Sequence, residues 1–482
     1  MKIKIQTKEY NEMTNLLTAE FKRKFSLSFY KNMKLKLGKM SFFKDFVNDT
    51  RGDLYPVLSK SDDADEYVES NRYGVRAGSV CRLIGQFFPY ATYEMTATVK
   101  GEAGFRFILP DTEAEITMSE EKLRYRCDIH TEELDLPERE STMIVSCRPG
   151  AFDVYFKKNG KAEFFTTFAE EKFNNSNDYA VFSESVAALI VSGGAEISAV
   201  AFYIDNGTSI ADMRPVRYEN GEVMIENGKI YITASIRMQA GAFQGIFSWI
   251  PGTAEFELTG ALFYDCGDGR WCGDVAASLL FHREKKLWYL WVCAFSHGHI
   301  LAHSTFDGDV RFGVNVIDVE LMKKADADTP IDAFLTFSGD EDPDFFYDKE
   351  NSRWLMAICR RDPAVKNYRY FFYESDAPFE GYKCIGKGYD GAETGGSFVK
   401  VAGEQYFLCG NDFHATSDYR IYGKHGMSAP KFDYPDGGFR GWGTLMPIKL
   451  GSRTRYFWLT FDRHKGSDYN WSYGNLYCFE AK

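Results

Sequence analysis

Apolar and polar residues alternate in short stretches along most of the chain. YEMTATVKG (93–101), AGFRFIL (103–109), STMIVSCR (141–148) and AALIVSGGAEISAVAFYI (187–204) carry the period of two that sends successive side chains to opposite faces of a sheet. FDVYFKKNGKAEFFTTF (152–168) adds a turn, with KNGK standing between two aromatic-rich runs as in a tight hairpin. Residues 26–205 are therefore expected to form a lectin-like (concanavalin-type) β-sandwich. Residues 1–25 read as an N-terminal arm or short helix. DNGTS (205–209) reads as a linker into a different domain.

From residue 206 onward a loose unit recurs: an acidic residue, a strand, a polar turn, then a second strand rich in aromatics. The first unit starts at Asp212, the second at Asp274 and the third at Asp342. The fourth starts at Glu393, and the last, GWGTLMPIKLGSRTRYFWLTFDR, has no acid at its head. Heads about 50–70 residues apart leave room for four-stranded blades, so residues 206–482 are expected to form a five-bladed β-propeller. No amphipathic helices alternate with these strands, which argues against a parallel α/β fold.

Composition narrows the function. Lys and Arg number 57 against 69 Asp and Glu, a net charge of −12. That balance argues against binding a phosphate backbone. The sequence has no run of about 18 apolar residues, so no membrane partner is expected. Ten cysteines are scattered without a CxxC pair, several of them in apolar runs. They read as buried free thiols, a zinc site is not expected, and a cytoplasmic location is. A secreted or periplasmic location would follow only if a leader had been removed.

In a propeller the inner strand of each blade starts at one mouth of the central channel. That geometry gathers Asp212, Asp274, Asp342 and Glu393, where mutual repulsion raises some proton affinities. One acid protonated beside one ionised is what glycosidic cleavage requires. Asp344 competes with Asp342, since alternation puts both on one face. Loops leaving the second strands return to the same mouth and bring Arg237, His297, His299, Arg360, Arg361, Asn411 and Arg463. Arginine forks suit carboxylate or sulfate oxygens, so an anionic sugar is expected. Trp271 is a candidate for stacking on a sugar face, with core packing as the alternative. The His297-Gly298-His299 turn with His303 reads as satisfied histidines rather than metal ligands.

The residues also resemble a known family. Trp271-Cys272-Gly273-Asp274 before LWYLWVCAFS resembles the W-A-P-D…YYLYYS pattern of the five-bladed propeller glycosidases. That group holds arabinanases, α-L-arabinofuranosidases and β-xylosidases, and more distantly the fructan-cleaving enzymes. Asp342-Pro343-Asp344-Phe345-Phe346-Tyr347-Asp348 resembles its I-D-P-x-x-F-x-D pattern. Glu393 with GSFVKVAGEQYFL resembles its E-G-P-x-x-x-K-x-x-G-x-Y-Y-L pattern, and Asp212 with Arg214-Pro215 stands where it has D-P. The departures are Thr394-Gly395-Gly396 for Gly-Pro, Cys272-Gly273 for Ala-Pro, and a sandwich before the propeller. The resemblance implies an inverting glycoside hydrolase, and with a cytoplasmic location exo action on short oligosaccharides is expected. Asp212 would be its general base, Asp342 the acid-tuning carboxylate and Glu393 the general acid, with Asp274 lining the site. It requires no cofactor, although such propellers often hold a structural calcium ion in the channel. The alternatives are a glycan-binding propeller without catalysis, and a phosphorylase or lyase on the same scaffold.

Overall fold

The computed structural model describes residues 16–28, 31–37, 56–69, 72–137, 141–239, 241–323, 339–362, 364–389, 393–411, 419–430, 432, 439–463 and 473–481. The described chain is almost entirely β-strand. Its N-terminal part is two sheets of seven and eight strands, which meet through their aromatic faces. Phe107 stacks on Phe152 with ring centres 5.2 Å apart, and Tyr125 on Phe168 at 4.5 Å. The hairpin expected at KNGK is present, pairing Lys158 with Lys161. Asn159 and Gly160 both take positive φ, 53° and 73°, which is what a two-residue turn matched to strand twist demands.

The C-terminal part has a propeller arrangement. Four blades are built from consecutive strands, led by Ser209–Pro215, Val275–His282, Glu341–Asp348 and Glu393–Val401. A further sheet joins Phe439–Leu450, Arg453–Arg463 and Tyr473–Ala481 to the N-terminal strand Phe21–Leu27. Of the segment expected as an arm or short helix, residues 1–15 lie outside the described residues, and the rest is one 3-10 turn, Leu16–Thr18, followed by a strand that completes this sheet. Its alternation was hidden by the basic run KRK, which lies on the solvent side of an edge. The leading strands touch in succession around a ring that closes between Phe439–Leu450 and Ser209–Pro215.

The linker is short and anchored. Asp205 accepts from Thr92 Oγ1 at 2.6 Å, from the Gly207 amide at 2.7 Å and from Lys31 Nζ at 2.6 Å. Trp271 seals the domain contact, packed edge-on against Phe182 (4.6 Å) and Phe88 (4.9 Å). Its place in that core answers the stacking expectation: the indole is 2% exposed and offers no face to a sugar.

The propeller axis is filled by arginine. Arg214 donates to the carbonyls of Pro343, Asp342 (3.1 Å) and Gly396 (2.9 Å), with Trp442 beneath it at 4.9 Å. One residue of the first blade thus ties the third and fourth together. Arg217 bonds Asp344, which also accepts from Ser278 Oγ at 2.8 Å and from the Phe398 amide at 2.7 Å. Asp344 is therefore a structural anchor and not a rival to Asp342 at the mouth.

Replacing Arg214 with Met leaves three buried carbonyls without donors, at about 1–3 kcal/mol each. Urea unfolding of the R214M chain should show a loss of about 3 kcal/mol or more. Arg214→Lys should recover little, since an ammonium lacks the planar fork. A loss under about 1 kcal/mol in R214M would remove Arg214 as the clamp of the ring.

Candidate active site

The same irregularity marks the start of each leading strand. The ladder slips between Ala211 and Arg214, Val275 and Ser278, Glu341 and Asp344, and Thr394 and Ser397. In each case the first extra residue is left-handed: Asp212 (φ 55°), Ala276 (61°), Asp342 (50°) and Gly395 (60°). Asp tolerates this conformation because its short polar chain bonds locally. Gly395 is obligatory, because a Cβ there would meet Trp442 at 2.4 Å.

These bulges split the four expected carboxylates into two classes. Asp212 and Asp342 are bulge residues, whereas Asp274 and Glu393 stand two places earlier, as does Asp340 in the third blade. Asp212 Oδ2 accepts from Ser235 Oγ at 2.5 Å and Arg237 Nη2 at 2.7 Å. Asp342 Oδ2 accepts from Thr394 Oγ1 at 2.9 Å and the Gly395 amide at 3.0 Å. Burial, followed by the charges of Glu341 and Asp212, pushes the Asp342 carboxyl up to about 7. Asp212 and Asp342 therefore feel each other across the mouth.

Glu393 does not join them. Its side chain is fully buried and turned toward the outer strands of the third and fourth blades. It accepts from the amides of Tyr370 (3.0 Å) and Tyr389 (3.2 Å), from Tyr422 Oη and from Arg420 (3.3 Å). This corrects the expectation that it lines the mouth: the two-residue offset from the bulge takes it away from the axis.

Asp274 is likewise held beside the axis. The Ser296 amide (3.0 Å) and hydroxyl (2.6 Å) bond its two oxygens, and burial raises its proton affinity. His297 lies next to it, bonded to Ser296 and Asp268, and His299 pairs with Glu341 at 2.9 Å. Arg360 grips Asp340 through two bonds of 2.7 and 2.8 Å and also reaches Tyr373. Arg361, on the opposite strand face, is exposed. The side chains of Asn411 and Arg463 lie outside the described residues.

Of the arginines, Arg237 is paired with Asp212, Arg360 with Asp340, and Arg214 is committed to carbonyls. Ser235, Thr394 and Asp340 are site residues that sequence reading missed. The signal for Asp340 was the acid two places before a bulge aspartate.

A cavity of about 620 Å³ opens where the N-terminal sheets meet the first two blades. Tyr90, Arg148 and Asn177 line it from one side, and Arg237, Asp274 and Ser296 from the other. Arg237 lines this cavity and bonds Asp212, while Asp212 and Asp342 are themselves not part of its lining. A cavity of about 910 Å³ lies at the strands' other ends, around Asp348 and Lys400, away from the pair.

No protein-family model matches this sequence, and no curated protein does. Among solved structures, the α-L-arabinofuranosidase from Podospora anserina in complex with cellotriose is 14% identical, with a TM-score of 0.38 over 57% of this chain and 91% of that one. The catalytic domain of a Coprinopsis cinerea α-L-arabinofuranosidase is 14% identical, with a TM-score of 0.37 over 57% and 91%. An exo-β-1,3-galactanase from Clostridium thermocellum is 11% identical, with a TM-score of 0.37 over 56% and 62%. Likeness at this level assigns the chain to no family.

Proposed function

We propose that this protein is an inverting glycoside hydrolase acting on the ends of oligosaccharides, with Asp212 and Asp342 as its acid–base pair. In this reading the composite sheet is the fifth blade of the propeller, and the two N-terminal sheets are a lectin-like sandwich bracing it. The observation that carries the proposal is the division of the pair. Asp212 is bonded by a guanidinium and a hydroxyl. Asp342 has no cation bonded to its carboxylate among the described residues, and burial pushes that carboxyl up to about 7.

Both hydrogen bonds that described residues make to the Asp342 carboxylate fall on Oδ2, which leaves Oδ1 as the atom to carry a proton to a leaving oxygen. Both bonds to Asp212 also fall on Oδ2, so Oδ1 is the atom that takes a proton from attacking water. This gives Asp342 the acid role that family resemblance had placed on Glu393, whose enclosure keeps it from substrate. A 620 Å³ cavity suits one or two sugar rings, hence exo action. The pairing of Arg237 with Asp212 and of Arg360 with Asp340 favours a neutral sugar over an anionic one. Binding without cleavage is the second reading, favoured by how little of the pair is open: Asp212 is 6% and Asp342 5% exposed.

Purified protein should release nitrophenol from a panel of nitrophenyl arabinofuranosides, xylosides and galactosides, and not from glucuronides. Asp212→Asn and Asp342→Asn should each lower turnover by about 10²-fold or more with circular dichroism unchanged. Glu393→Gln should lower stability and leave the turnover of folded protein near wild type. Saturable binding of the same sugars without release would establish the second reading, and full activity in D342N would end the proposed pairing.

Stability should carry the mark of the Asp342 proton. Its carboxyl titrates near 3.8 when unfolded and near 7 when folded. Between those values the unfolded chain ionises while the folded one holds its proton, so unfolding becomes easier as pH rises. Wild-type stability from this group is whole below about pH 4 and lost through pH 7. In urea melts from pH 4 to 8, D342N should gain on wild type across that window. A difference that stays flat with pH would show that Asp342 is not the protonated acid.

A further inference from the structure

Beside the cavity, three separate segments bring metal-ligating chemistry together. The hairpin linking Phe256–Asp265 to Trp271–Cys272 carries Cys266 and Asp268 at its tip. Asp274 heads the leading strand of the second blade, and His297 ends the 3-10 turn Phe295–His297. One ligand atom each from Cys266, Asp274 and His297 lies within 4.8 Å of the other two. Asp274 is buried, and the other two are half-buried.

The hydrogen bonds orient the imidazole. Nε2 of His297 is 3.2 Å from Asp268 Oδ2, and Asp268 is itself fixed by Arg270 at 2.6 and 2.8 Å. Nδ1 faces inward, 2.8 Å from the Ser296 hydroxyl, which is 2.6 Å from Asp274. That hydroxyl has a single hydrogen to share between the carboxylate and the ring nitrogen. With Nε2–H directed at Asp268, the inward Nδ1 lone pair calls for a cation. A carboxylate behind the outer nitrogen of an imidazole is the arrangement that aims a histidine at a metal.

We propose that Cys266, Asp274 and His297 bind one zinc ion, with its fourth position open to the cavity. Thiolate, carboxylate and neutral imidazole balance a divalent charge, and this mixed set suits zinc. Ligand atoms in such a site stand about 3.3–3.8 Å apart. The cluster must tighten by about 1 Å, and Gly267 and Gly269 give the hairpin tip that freedom. Binding also releases the Cys266 proton, which burial and nearby carboxylates otherwise retain. Cys266 and His297 are remote in sequence, which is why no ligand spacing announced them. The proposal does not depend on the reaction assigned to Asp212 and Asp342.

The test uses the whole chain, stripped with a chelator and titrated with Co²⁺. The result expected is one equivalent bound, with a thiolate-to-cobalt charge-transfer absorption that Zn²⁺ abolishes. Cys266→Ser, folded by circular dichroism, should lose that absorption. His297→Gln should bind at least tenfold more weakly, and Cys272→Ser, on the same hairpin, should behave as wild type. Zinc should raise the melting temperature of wild type and not of C266S. No charge-transfer absorption in wild type, or its persistence in C266S, would overturn the site and leave His297 as a hydrogen-bonded link between Asp268 and Ser296.

Discussion

A buried guanidinium must find its partners inside the protein, and the propeller axis is organised around that demand. Arg214 is 1% exposed and donates to three backbone carbonyls on two other blades. Because it grips main chain, it fixes where the leading strands of the third and fourth blades begin relative to the first. The bulges sit at those starts. Asp212 and Asp342 can converge only if the strand heads are held at one level, and Arg214 and Arg217 are the groups that hold them.

The same choice of partners explains the electrostatics of the pair. Arg214 is close enough to Asp342 to lower its proton affinity, yet its hydrogen bonds go to carbonyls. Among the described residues, the Asp342 carboxylate receives a hydroxyl and an amide. Burial and the neighbouring charges of Glu341 and Asp212 therefore prevail. Asp212, at the matching bulge of the first blade, has its guanidinium from Arg237 on the next strand. Two aspartates in one backbone setting are thus separated by where the nearest arginine points.

Much of the architecture was legible from alternation and turn chemistry. Lys158 to Lys161 paired as the KNGK signal requires, and the acid-headed units do lead blades. What could not be read was register at the strand heads. A bulge adds a residue to one strand only, and nothing in the local composition of WCGD or AETGG reveals it. Without it, Asp274 and Glu393 looked equivalent to Asp212 and Asp342. Likewise Trp271 looked like a sugar platform because an aromatic beside an acid has the same spelling in a binding site and in a domain contact. Phe88 and Phe182, which cover it, lie more than 80 residues away in sequence, beyond the range of any pattern.

The N-terminal sheets bear on function as well as stability. Tyr90 Oη accepts from the Gly273 amide at 3.1 Å, and Asn177 donates to the Trp271 carbonyl at 3.0 Å. Both bonds fall on the segment that ends in Asp274. The sheets therefore set the height of Asp274 and also supply one wall of the cavity through Tyr90, Arg148 and Asn177. Asp205 ties the linker to the N-terminal sheets through Lys31 and Thr92, and Thr208 ties it to the first blade by donating to the Arg237 carbonyl at 2.9 Å. A ligand in this cavity would touch both parts at once, so under the proposed function recognition would fall at their junction and not on the propeller alone.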